Sequence, residues 1–152
     1  MPLKYDVASV LERETQTTIT NWYDRVEENA GLVDIRLSRK DRCAHLPEMF
    51  RDLVFRLRNP LPLGSRALRS CAAHSHGCLR RDQGYTAAMM VEESRMLQVS
   101  IFETLQSHIE DTESGVLLLH VMVIADEVDS QLAQAMTSYI SEAIRDAEPV
   151  TP

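Results

Sequence analysis

The chain has 152 residues, a net charge of −7, a hydrophobic fraction of 44% and few glycines (5) and prolines (6). These values fit one globular domain over residues 1–152 and exclude a disordered, collagen-like or disulfide-stapled chain. The three cysteines, Cys43, Cys71 and Cys78, are odd in number, and Cys71 and Cys78 lie roughly 10 Å apart along one predicted helix, beyond disulfide reach. They read as reduced thiols of a cytoplasmic protein.

The abundance of Leu, Ala, Glu, Arg, Met and Gln predicts an all-α fold: an antiparallel bundle of about five to six helices with a long C-terminal helix. The first helix covers 6–29, with Val7, Leu11, Thr18, Trp22 and Val26 on its apolar face and Gly31 as its stop. Trp22, the single tryptophan, reads as a core anchor. Ser38 caps a short helix to about His45, with Asp41 three residues on. Pro47 suits the first turn of a helix over 47–58, whose apolar stripe is Met49, Phe50, Leu53, Val54 and Leu57. Arg51, Arg56 and Arg58 fall on its opposite face, and Asn59 to Gly64 form a loop.

Ser65 is the expected cap of a helix over roughly 66–83, with Leu68, Cys71, Ala72, Ser75 and Leu79 inward. Gly84 ends it, and Thr86 caps the next helix, about 87–110. There Tyr85, Met89, Glu93, Leu97, Ile101, Leu105 and Ile109 recur at steps of four. A turn over Asp111 to Ser114 leads to the last helix, about 115–147. Its first third, Val116 to Ala125, is apolar all round and predicts burial on every side. It then narrows to a seam of Val121, Ala125, Val128, Leu132, Ala135 and Tyr139, suited to the bundle and to a dimer. The apolar run is about half the length of a membrane span, so no direct membrane insertion is expected.

Charge is segregated: residues 1–35 carry a net −4, 36–81 a net +8 and 82–152 a net −11. Basic helices packed beside acidic neighbours explain this, and no nucleic-acid partner is expected, because no reading motif accompanies the arginines.

The stretch His76–Leu97 concentrates the polar chemistry. If residues about equally distant from Gly84 face each other in a helical hairpin, His76, eight before it, meets Glu93, nine after it and the one charge in its apolar stripe. A buried carboxylate needs such a partner. Arg80 lies one turn closer to the apex, and Gly77 would let the facing helix come near. The pair reads either as a clamp on helix register or as a ligand or protonation switch. Arg80-Arg81 reads as a solvated pair at a helix C-terminus. His74 and Cys78, four apart, and His120 are weak metal candidates; they fall short of the four ligands of a closed zinc site, so neither metal nor cofactor is expected. His120 is a core histidine or, in a globin-like alternative, an axial haem ligand. Phosphate loops, paired Cys-x-x-Cys and His-Glu-x-x-His motifs are missing, so an enzyme is not expected.

The order His76-Gly77, Arg80, Gly84-Tyr85, Glu93, Leu97 resembles the N-terminal domain of RsbT co-antagonist RsbRD-type proteins, found also at the front of bacterial sensor histidine kinases. Ile19 and Trp22, His45-Leu46-Pro47, Asp129, and Met136 with Tyr139 extend the likeness over most of the chain. Ser94 and Gln98 replace the family's aromatic after the Glu and Arg after the Leu. The resemblance implies an all-helical, non-catalytic, cytoplasmic signal-input domain of stressosome or histidine-kinase type. The family sits ahead of kinase or anti-sigma-antagonist output domains, and the seam on the last helix adds the expectation of a homodimer that relays a signal through that helix. A globin-like haem or small-molecule sensor is the alternative.

Overall fold

The computed structural model describes residues 6–59, 61–65, 69–108 and 114–148, without the side chains of 114–116. Among these, every regular element is a helix: α1 (Val7–Arg13), α2 (Thr15–Glu27), α3 (Ala30–Val33), α4 (Arg39–Arg42), α5 (Leu46–Arg58), α6 (Cys71–Asp82), α7 (Ala87–His108) and α8 (Ser114–Ala147). The expected all-α architecture with a long last helix is present. Among the described residues no helix is long and apolar enough to cross a membrane.

Local chemistry sets most boundaries. The Asp6 carboxylate accepts from the Ser9 amide and starts α1. The single helix expected over 6–29 is two, separated at Glu14. The Thr15 hydroxyl donates to the carbonyls of Leu11 (2.9 Å) and Glu12 (3.0 Å), and such back-bonding bends a helix. Gly31 is not a stop but lies inside the one-turn α3, which Asn29 caps. Ser38 caps α4 through the Asp41 amide, and Thr86 caps α7 through the Met89 amide, both as expected. The cap of α6 is Ser70, not Ser65: its Oγ accepts from the Ala73 amide at 3.0 Å. Leu68, Ile109 and the turn over 111–113 lie outside the described residues.

Gly84 closes α6 in a Schellman arrangement, with a backbone φ of +91°. Its amide donates to the Arg81 carbonyl (3.1 Å) and the Tyr85 amide to the Arg80 carbonyl (3.0 Å). The motif carries Tyr85 back over Arg80, whose guanidinium carbon stands 4.6 Å from the ring centre.

Trp22, Leu11, Phe50, Leu53, Met90, Ile101 and Ile124 anchor one hydrophobic core. The inward face of α6 differs from the expected one. Cys71 and Ser75 are exposed, and Ala72, Ala73, His76, Gly77 and Arg80 are buried. The main neighbour of α6 is α8 rather than α7. A methyl on Gly77 would overlap the Ala135 carbonyl oxygen and Ser138 Oγ, so the close approach that this glycine allows is to α8. Ser138 Oγ, in turn, donates to the His74 carbonyl at 2.7 Å.

The start of α8 departs from expectation too. Leu118, Leu119 and Met122 are exposed, so this stretch is not buried on every side. Farther along, Ile124, Val128, Ala135 and Tyr139 face inward, while Val121, Ala125 and Leu132 are half-buried. The buried face includes Glu127, Gln131 and Ser138, which an apolar seam omits.

Candidate functional site

The site is built on the carboxylate of Glu93, which the middle of α7 places in the core at 3% exposure. One oxygen, Oε1, accepts from His76 Nε2 at 2.7 Å and from Arg80 Nε at 2.9 Å. The sequence-derived partnership of His76, Arg80 and Glu93 is thus present as geometry. It does not come from a tight α6–α7 hairpin. The side chains of His76 and Arg80 reach from α6, which lies on α8, across to α7.

Arg80 is wholly buried, so Arg80-Arg81 is not a solvated pair. Each arm of its guanidinium is used: Nη1 donates to Gln83 Oε1 (2.7 Å) and Nη2 to the Arg42 carbonyl (2.6 Å). Arg42 is buried as well, donating to the Tyr85 hydroxyl (2.6 Å) and the Ile35 carbonyl (2.6 Å). Tyr139 of α8 donates its hydroxyl to the Tyr85 carbonyl at 2.6 Å. Trp22 of α2 donates its indole N–H to the Glu93 carbonyl at 3.0 Å. One polar network therefore joins α2, α4, α6, α7 and α8.

Burial raises the energy of the Glu93 carboxylate, but the hydrogen bonds and charge of His76 and Arg80 outweigh it and hold this carboxyl below its ordinary pKa. Burial, reinforced by the nearby Glu93 charge, pushes the Tyr85 phenol up to about 12. Burial and the neighbouring His76 lower the pKa of His45, whose ring meets that of His76 edge-on at 5.9 Å. Glu93 and His76 line a cavity of about 30 Å³ enclosed mostly by apolar side chains.

A second buried polar group lies on α5 and α8. Arg56, expected on the outer face, is 2% exposed. Its Nε stands 3.9 Å from Glu127 and its Nη2 3.5 Å from Asp126. Gln131 donates to the Met49 carbonyl at 3.0 Å and more weakly to Glu127 at 3.4 Å. Burial pushes the Glu127 carboxyl up to about 7, since neither Gln131 nor the distant guanidinium compensates it.

His74 and Cys78 stand on the solvent side of α6 with Nε2 and Sγ 4.0 Å apart. His120 is half-buried near the start of α8. Among the described residues, no three His, Cys, Asp or Glu side chains are grouped to hold a metal ion. The cavity beside His76 is far too small for a porphyrin.

Arg42 and Tyr139 were absent from the sequence-derived site. Helical spacing relates residues within one element and carries no signal for a side chain arriving from another. Trp22 is the core anchor expected, at 1% exposure, with a polar role besides. No family model, curated protein or solved structure matches the chain.

Proposed function

We propose that the chain is a non-catalytic signal-input or regulatory domain of bacterial signal transduction, of stressosome or histidine-kinase type. In this reading it is cytoplasmic and dimeric, and α8 passes its state to a kinase or anti-sigma-antagonist output. The observation that carries the reading is the buried Glu93–His76–Arg80 cluster and its linkage to α8. Arg80 packs on Tyr85, Tyr85 accepts from Tyr139, and Arg81 lies over the Tyr139 ring at 5.6 Å. A change at Glu93 would thus be felt along the last helix. The resemblance through His76, Gly77, Arg80, Gly84, Tyr85, Glu93 and Leu97 supports the same class.

The dimer is assigned to the outward face of α8 rather than to the inner seam. Leu118, Met122, Ile140 and Ile144 are exposed and share one side of the helix at 100° per residue. Light scattering on the wild-type chain and on the double variant Ile140→Asp, Ile144→Asp tests this. A dimer that becomes a monomer supports the output surface, and an unchanged mass removes it.

A further inference from the structure

We propose that Arg56 of α5 and the adjacent acids Asp126 and Glu127 of α8 form a proton-controlled latch on the loop at Gly64. With a proton on Glu127, the guanidinium rests against Asp126, and Asp126 holds the loop. When that proton leaves to solvent, the guanidinium closes on Glu127, and Asp126 turns outward and releases the loop. The latch deepens the signal-input reading by naming a signal, proton concentration near neutrality. It rests on that reading only for its use as an input.

The geometry is that of one cation shared by too many anions. Arg56 is buried, and its Nη1 and Nη2 make no hydrogen bond among the described residues. Nη2 stands 3.5 Å from Asp126 Oδ2, and Nε stands 3.9 Å from Glu127 Oε2. Charge-assisted hydrogen bonds close to about 2.7–2.9 Å, so a shift of roughly 1 Å brings the guanidinium onto Glu127. The charges that face Glu127 are Arg56 and Asp52 of α5 and Asp126 of α8. Asp52 is engaged separately, accepting from the Ser70 hydroxyl at 2.5 Å. One guanidinium therefore faces three carboxylates, and a buried site sheds surplus charge by taking up a proton.

Burial decides which carboxylate carries that proton. The Glu127 side chain is 3% exposed and that of Asp126 is 27% exposed. Asp126 meets water and the Gly64 amide, which donates to both of its oxygens at 3.2 Å. Glu127 receives only the long contact from Gln131 at 3.4 Å, and Gln131 is committed to the Met49 carbonyl. Burial, reinforced by Asp52 and Asp126, accordingly pushes the Glu127 carboxyl up to about 7. Once ionised, Glu127 cannot turn to water, whereas Asp126 can. A buried anion needs its partner more than an exposed one does, so the guanidinium goes to Glu127.

The experiment is a pH titration of the intact chain. It follows the side-chain carboxyl carbon resonances of the glutamates and the hydrogen exchange of backbone amides, corrected for the intrinsic rate. The proposal expects the Glu127 carboxyl to titrate near 7. Protection of the Gly64 amide should fall about tenfold with the same midpoint, the loss of one hydrogen bond to a charged acceptor. In Glu127→Gln, Gly64 should stay protected over the same range. Three results would each overturn the latch: a Gly64 transition confined to the ordinary carboxyl range, constant Gly64 protection while Glu127 titrates, or a transition near 7 that survives in a folded Glu127→Gln protein. The wild-type titration needs no variant. If Gly64 follows Glu127 and exchange along the rest of α8 does not change, the latch stands and its use as an input fails. If Gly64 does not follow Glu127, the latch falls, and the Glu93 relay stands or falls by its own measurement.

Discussion

Gly77 of α6 lies directly against the main chain of Ala135 of α8, with no room for a side-chain carbon between them. The contact explains why α6 packs on α8 and so how His76 and Arg80 are held at the height of Glu93. Adding one methyl must move backbone against backbone. Gly77→Ala should therefore lower stability by about 3 kcal/mol despite the better helix propensity of alanine. Chemical denaturation checks this, and a neutral or stabilising result would mean that the two helices are farther apart.

Removing the central carboxylate should be costly for a different reason. Glu93→Ala leaves the wholly buried Arg80 guanidinium without its anion. Breaking a buried pair in this way costs roughly 3–5 kcal/mol. Arg80→Met should cost a similar amount, and the double variant should cost less than the sum. A thermodynamic cycle over the two sites measures that coupling.

The hydroxyl of Tyr139 makes a single, separable contribution. It donates at 2.6 Å to the Tyr85 carbonyl in the core. Tyr139→Phe keeps the ring under Arg81 and leaves that carbonyl one donor short. A loss of about 1–2 kcal/mol is expected. Equilibrium unfolding of the variant provides the check.

The two buried glutamates should act on stability with opposite signs. The folded pKa of Glu93 is depressed, so its contribution is present above the ordinary carboxyl pKa and is lost as pH falls below it. The folded pKa of Glu127 is raised from 4.5 to about 7. The folded chain then binds more protons than the unfolded one between those values. Its contribution is fully present below about 4.5 and is lost as pH rises through 7. A shift of that size corresponds to an order of magnitude of roughly 3 kcal/mol. Glu127→Gln should flatten the fall in stability between pH 5 and 7.5, and a variant profile parallel to the wild type would show that Glu127 is already ionised at pH 5.

What could be read in advance follows from which signals are local. Ser38, Thr86 and Gly84 announce their caps because each acts on backbone within five residues. Glu93 stood out as a charge in an apolar stripe, nine residues after Gly84, where His76 lies eight before it. That count found the right partner by symmetry, although the backbones of α6 and α7 do not pair as a hairpin. The buried face of α6 was missed because Ala, Gly, Cys and Ser rank too closely in hydrophobicity to orient a helix. Arg56 was expected outside and Arg42 drew no attention, since arginine is ordinarily a surface residue, whereas Arg80 was expected both beside Glu93 and as part of a solvated pair with Arg81. Their burial depends on Tyr85, from the α6–α7 connection, and on Glu93 and Asp126, from other helices, which no single-helix pattern encodes.

The central claim is that the state of Glu93 is transmitted to α8. Hydrogen exchange resolved by residue, compared between the wild-type chain and His76→Gln, tests it most directly, because this variant retains the Arg80–Glu93 ion pair and so keeps the fold. The account predicts faster exchange both around residues 76–93 and along 127–139 of α8. Faster exchange confined to α6 and α7, with α8 unchanged, would contradict it.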